Sequence, residues 1–220
     1  MRTMFDHKIF TVLGGVVDVV WISILWYVSS LLILTMGAAS SAMYYTLHVS
    51  LFKNEGYLFS TYKRSFTDNL KKGTVVWVIF LLLDAFLVFD LILSRMAVSQ
   101  GSFLGALYFP VLVCIVLAVM WQISAMTYQA RFDDTVKNVL VKGAAVAMSN
   151  IGWMIFLAAI LAGAIYLCRY LIFIAVILPG GYTCLVHHVF EHIYEKMGWI
   201  KEETDEELSL SEVSESGGKQ

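Results

Sequence analysis

Apolar residues fall into five long stretches separated by shorter polar segments. A membrane-spanning helix needs about 20 mainly apolar residues, a length met by 9–36, 74–97, 103–128, 144–167 and 170–189. The pattern predicts an all-α integral membrane protein with five transmembrane helices. Between the second and third, Ser99-Gln100-Gly101-Ser102 makes a short turn, and only Cys168 and Arg169 separate the last two, which must form a tight hairpin. The first stretch exceeds a signal-peptide core and lacks a convincing cleavage site after it, so it is read as a retained span.

The longer connections, 37–73 and 129–143, carry a pattern of their own. Leu58, Tyr62, Phe66 and Leu70 recur every four residues with Phe59 beside them, while Lys63, Arg64, Asp68, Lys71 and Lys72 take the remaining arc. This predicts an amphipathic helix lying on the cytoplasmic membrane surface, with Lys63, Arg64, Phe66, Lys71 and Lys72 as candidate contacts to headgroups or a partner. Phe132, Val136, Val139 and Leu140 predict a shorter surface helix before the fourth span. The two connections share Phe66-Thr-Asp68 with Lys72-Gly73, and Phe132-Asp-Asp134 with Lys142-Gly143. A parallel internal repeat and chance both account for that likeness.

Composition agrees with a membrane body. Of 220 residues, 59% are hydrophobic and 15% charged, against about 25% charged in soluble domains. That argues against a soluble enzyme or a nucleic-acid binder. The net charge of −2 divides into +3 over residues 1–199 and −5 over 200–220. The latter segment is expected to be an acidic, disordered cytoplasmic tail. Eleven basic residues lie at 52–73, 129–143 and beyond 189, against four on the other side (Arg2, Lys8, Arg95 and Arg169). By the positive-inside rule this predicts a cytoplasmic C-terminus and, with five spans, an N-terminus outside.

Candidate chemistry is sparse. Asp18, Asp84 and Gln122 are polar residues within spans, where the alternatives are a proton or cation site and structural polar contacts. Pro179, Gly180 and Gly181 interrupt the fifth helix near its middle, as a broken transport helix or a simple kink would. Ala158, Ala159, Ala162 and Gly163 give the fourth helix a small-residue face suited to close packing. His188-Val-Phe-Glu191-His192 fits the H-x-x-E-H zinc-peptidase pattern. A third ligand would have to come from the tail, however, and Glu191, Glu195 and Lys196 read as a solvated interfacial face. The three cysteines, Cys114, Cys168 and Cys184, have no disulfide or metal spacing. No catalytic, cofactor-binding or metal-binding set is expected, and no phosphate-binding G-x-x-x-x-G-K-[ST] occurs.

Three stretches carry a family likeness: Leu34-Thr35-Met36-Gly37-Ala38-Ala39 with Ala42-Met43-Tyr44-Tyr45; the segment 60–72; and Tyr128-Gln-Ala-Arg131-Phe132-Asp133-Asp134-Thr135 with Asn150. In their order and spacing the chain resembles the YesL family of bacterial membrane proteins, whose function is unknown. Where that family commonly has a proline before the Thr-x-Gly step, this chain has Leu32-Ile33-Leu34. The resemblance implies a non-enzymatic accessory subunit of a carbohydrate ABC importer, since members are typically encoded beside such importers. It implies association with permease subunits within the lipid membrane, and no cofactor. The alternatives are a stand-alone transporter or channel using Asp18 and Asp84, and more remotely a zinc metallopeptidase at His188, Glu191 and His192.

Overall fold

A computed structural model describes residues 2–52, 57–99, 103–170 and 172–199, with side chains described from 14 onward except at 51–52, 103–104 and 172–174. The acidic tail expected at 200–220 lies outside the described residues. Among the described residues there are seven α-helices and no strand: α1 (Arg2–Ser29), α2 (Met36–Thr46), α3 (Leu58–Ser99), α4 (Tyr108–Arg131), α5 (Val136–Ser149), α6 (Ile151–Cys168) and α7 (Ile172–Lys196). A π-helical turn, Leu47–Phe52, extends α2.

Three stretches among the described residues are long and apolar enough to cross a membrane: Leu58–Ser99, Gly105–Arg131 and Ile151–Cys168. Five were expected. The first and fifth expected spans include 9–13 and 171–174, whose side chains lie outside the described residues; within the described residues, α1 contributes a shorter apolar stretch, Gly14–Ser29. Leu82, Phe86, Phe89, Phe109, Val113 and Ile155 are each more than half exposed. An apolar surface of that extent fits contact with lipid tails.

The expected boundaries change for local physical reasons. The first span stops at Ser29, without the missing proline, because Thr35 Oγ1 donates to the carbonyls of Ser29 (2.6 Å) and Leu32 (2.8 Å). This side chain caps α1 and starts the next turn. The surface helix at 58–72 and the second span form one helix rather than two. At 1.5 Å per residue, α3 is about 63 Å long, roughly twice a bilayer's hydrocarbon core. No proline interrupts it, and Gly73 serves packing instead. A Cβ there would lie 2.8 Å from Ala38 Cα, so the α2 and α3 backbones nearly touch. The fourth span divides at Asn150 (φ −126°, ψ 41°), which separates amphipathic α5 from apolar α6.

Two similar corners organise the centre. Ser41-Ala42-Met43-Tyr44 on α2 and Ser124-Ala125-Met126-Thr127 on α4 are fully buried, and Ser41 Oγ reaches the Met126 carbonyl at 3.5 Å. As α3 packs by Gly73 on Ala38, so α5 packs by Gly143 on Ala125, where a Cβ would lie 2.8 Å from Ala125 Cα. The Lys-Gly pairs therefore occupy comparable positions at the two corners. Between them, the adjacent acids of the 132–135 turn face different ways. Asp133 pairs with Lys72 of α3, while Asp134 accepts from Lys142 of α5 at 2.9 Å, Asn138 Nδ2 at 2.7 Å and the Thr135 amide at 2.8 Å. The Lys142 ammonium, then Asn138 and the Thr135 amide, hold the Asp134 carboxyl well below the usual carboxylate range.

Helix α7 continues through Pro179. Proline has no N–H to offer the carbonyl four residues earlier, and α1 makes good the loss. Tyr27 donates its hydroxyl to the Ala175 carbonyl at 2.6 Å, and the Gly180 amide donates to Ser23 Oγ at 3.0 Å. As the chain advances from 23 to 27, its partners recede from 180 to 175, so α1 and α7 run antiparallel. The N-terminal end of α1 therefore points toward the same side as the C-terminal end of α7.

Of the expected small-residue face of α6, only Ala158 packs against the core. Ala159, Ala162 and Gly163 are exposed, and α6 packs through Met154 and Leu157. The cysteines are all free.

Candidate functional site

The most concentrated polar chemistry is buried where α2, α4 and α7 meet. On α7, Val186, Phe190, Ile193 and Tyr194 face the core, and that phase carries His187 inward with them. One turn later, Glu191 lies beside the same face, its side chain 20% exposed. From the π-helical turn, His48 brings its Nδ1 to 2.8 Å from His187 Nε2. Both rings are more than nine-tenths buried. Glu191 Oε1 lies 3.7 Å from His48 Nδ1 and 3.8 Å from His187 Nε2. The same oxygen is 3.5 Å from Arg131 Nε, at the end of α4, and accepts from the Tyr44 hydroxyl at 3.3 Å. Two imidazoles, a carboxylate, a guanidinium and a phenol thus converge on one oxygen in a poorly hydrated place. An ion pair so enclosed has little solvent screening, so losing either partner strands a charge.

This cluster lies between two hollows. One, of about 420 Å³, is chiefly apolar and is lined by Trp26, Tyr27, Tyr44, Trp77, Gln122 and Pro179. The other, of about 640 Å³, is polar and is lined by Arg64, Asn69, Lys72, Gln129, Arg131 and Asp133 among others. Tyr44 lines the first and Arg131 the second, and Glu191 contacts both of these residues. The contact Tyr44–Glu191–Arg131 therefore stands between the hollows. Beside it, the rings of Tyr128, Phe132, Tyr194 and Trp199 pack at centroid distances of 4.8–5.8 Å.

The residues singled out from the sequence divide unevenly around this site. His188 and His192 are exposed while Glu191 turns inward, so the H-x-x-E-H residues do not share one face. Glu195 and Lys196 are exposed as expected, but Glu191 is not part of their solvated face. Asp84 pairs with Gln122 between α3 and α4, and Gln122 borders the apolar hollow. Asp18 is half-buried on α1, a helix that meets α3 at Tyr62 through Ser29 (2.6 Å). On continuous α3, Tyr62 is about 33 Å from Asp84 at 1.5 Å per residue. Lys63, Arg64, Lys71 and Lys72 are exposed, with Lys72 paired to Asp133, whereas Phe66 packs into the cluster around Ile22, Leu47 and Tyr62. Pro179 borders the apolar hollow, and Gly180 rests against Ser23.

His48, His187, Arg131 and Tyr44 escaped the sequence reading as a group. A helical phase was the available signal: four apolar neighbours fix which side of 186–194 is buried, and His187 shares that side. A linear motif match selects residues by spacing and ignores this phase.

A family model described as "Protein of unknown function, DUF624" matches residues 19–91. That stretch runs from the later part of α1 through α2 into α3 and includes Tyr44 and His48, but not Arg131, His187 or Glu191. No curated protein and no solved structure matches the chain.

Proposed function

We propose that this chain is a YesL-type accessory subunit of the cell membrane that supports a carbohydrate ABC importer by binding its permease subunits and catalyses no reaction itself. One observation carries the reading: α3 is a continuous rod of 42 residues, about twice as long as a bilayer's hydrocarbon core, and its N-terminal extension bears a basic surface. Lys63, Arg64 and Lys71 are exposed on that extension, while Tyr62 and Phe66 fasten it to α1 and the π-helical turn. A fixed charged surface costs little ordering entropy on binding, which suits protein docking. The match to a family of unknown function over residues 19–91 is compatible with this assignment.

In the proposed topology, α1, α3, α4, α6 and α7 are the five membrane helices, with the C-terminus cytoplasmic. The eleven basic residues at 52–73, 129–143 and beyond 189 are assigned to that cytoplasmic side.

Mild-detergent purification at native expression should recover a permease pair and its solute-binding protein with the chain. Charge reversal at Lys63, Arg64 and Lys71 should reduce that recovery. Isolation of the chain alone would refute the proposal.

The two hollows favour a second reading, a stand-alone transporter in which the Tyr44–Glu191–Arg131 contact is the closed barrier. Purified chain in liposomes would then move solute or protons unaided, and Asp84→Asn would abolish the flux. Absence of flux, or flux indifferent to that substitution, would exclude Asp84 as its carrier.

A further inference from the structure

We propose that His48, His187 and Glu191 form a binding site for one divalent first-row transition-metal ion, with zinc as the probe. The three candidate ligand atoms are His48 Nδ1, His187 Nε2 and Glu191 Oε1, all within 4.8 Å of one another. Metal–ligand bonds of about 2.0–2.2 Å in a tetrahedral array place ligand atoms about 3.4 Å apart. The present separations of 2.8, 3.7 and 3.8 Å bracket that value. Small side-chain adjustments would convert the triangle into three legs of a tetrahedron, leaving a fourth position for water or another donor.

The ligand chemistry suits an ion of this class. Two imidazoles and one carboxylate favour zinc and its neighbours over magnesium or calcium, which prefer all-oxygen shells. The ligands come from two separate elements, the π-helical turn and α7, so an ion would tie them together. His187 and Glu191 are one helical turn apart, a spacing that lets both reach a single ion. In the metal-free cluster, one ring N–H lies between the two imidazoles. Binding requires that proton to move to the same ring's other nitrogen, which frees both facing lone pairs, and no proton need leave the site. Arg131, 3.5 Å from Glu191 Oε1, opposes the ion's charge. Tyr44 shares that oxygen at 3.3 Å.

The opposition of Arg131 makes the test directional. Full-length protein, purified in detergent without a polyhistidine tag and stripped by chelator, should bind one zinc ion per chain in equilibrium dialysis. His48→Ala and His187→Ala should each weaken binding at least about tenfold, while His188→Ala and His192→Ala leave it unchanged. Arg131→Gln should bind zinc several-fold more tightly, a gain that misfolding would not produce. X-ray absorption of the zinc-loaded wild type should give two imidazoles and one carboxylate oxygen in the first shell, so the proposal stays falsifiable if a histidine variant does not fold. Substoichiometric zinc on the wild type, an oxygen-only shell, or losses in His188→Ala and His192→Ala equal to those at His48 and His187 would overturn it.

Discussion

Gly180→Ala tests the α1–α7 seam, on which the antiparallel arrangement depends. Inside a helix this substitution ordinarily stabilises by about 1 kcal/mol, because alanine has less backbone freedom to lose. Here the added Cβ would lie 2.6 Å from Ser23 Oγ, 2.7 Å from the Val19 carbonyl oxygen and 2.9 Å from Val19 Cγ1. Ser23 cannot simply rotate away, since its hydroxyl donates to the Val19 carbonyl at 2.8 Å and accepts from the Gly180 amide at 3.0 Å. The Val19 carbonyl belongs to the α1 backbone. Relief therefore requires the helices to move apart. Such overpacking costs about 1–3 kcal/mol, and loss of the amide–serine bond adds about 1 kcal/mol. Subtracting the propensity gain leaves a net destabilisation of about 1–3 kcal/mol. At about 2–4 °C per kcal/mol for a chain of this size, the unfolding midpoint should fall by roughly 2–12 °C. Thermal unfolding in detergent at one fixed scan rate measures this. Gly163→Ala is the control, because its Cβ would meet nothing within 4 Å, and its midpoint should hold or rise slightly. A Gly180→Ala midpoint at or above that control would refute the seam.

Tyr27→Phe removes the donor to the Ala175 carbonyl that Pro179 leaves without its usual partner, and should cost about 1–3 kcal/mol in the same thermal assay. An unchanged midpoint would mean that another donor reaches that carbonyl. Asp134→Asn should lower the midpoint near neutral pH and make no difference in acid. A carboxyl held below its ordinary range stabilises the fold above that range, near pH 4, and the contribution fades as pH falls further. Parallel pH curves for wild type and variant would contradict this account. Glu191→Leu, which strands the Arg131 guanidinium, should destabilise by about 3–5 kcal/mol, and Glu191→Leu combined with Arg131→Met should recover part of the loss.

Much of the membrane body was legible because lipid imposes a one-dimensional rule: a span must be long and apolar. Three of the five expected stretches fall on the apolar helices α3, α4 and α6, although α6 begins at Ile151 and not at 144. The rule failed at 58–73, where a change from amphipathic to apolar composition suggested two helices, although no residue in that interval breaks the helix. It also missed the division at Asn150, since composition changes little where one backbone angle turns the chain. The α2 segment was hidden for a related reason. Its Gly37, Ala38, Ala39, Ser41 and Ala42 carry little apolar bulk, and their value lies in letting α3 approach closely.

By itself, the sequence determined the all-helical class, the long apolar helices and the absence of a phosphate-binding loop. Each follows from composition, length or local spacing, which neighbouring residues specify without reference to the rest of the chain. Tertiary structure alone decided that α1 opposes α7, that α3 is one rod, and that His48 meets His187, 139 positions away in the chain. Those outcomes depend on which faces pack together. A glycine that admits a backbone, or a tyrosine that satisfies a proline's orphaned carbonyl, acquires its role only from a partner distant in sequence.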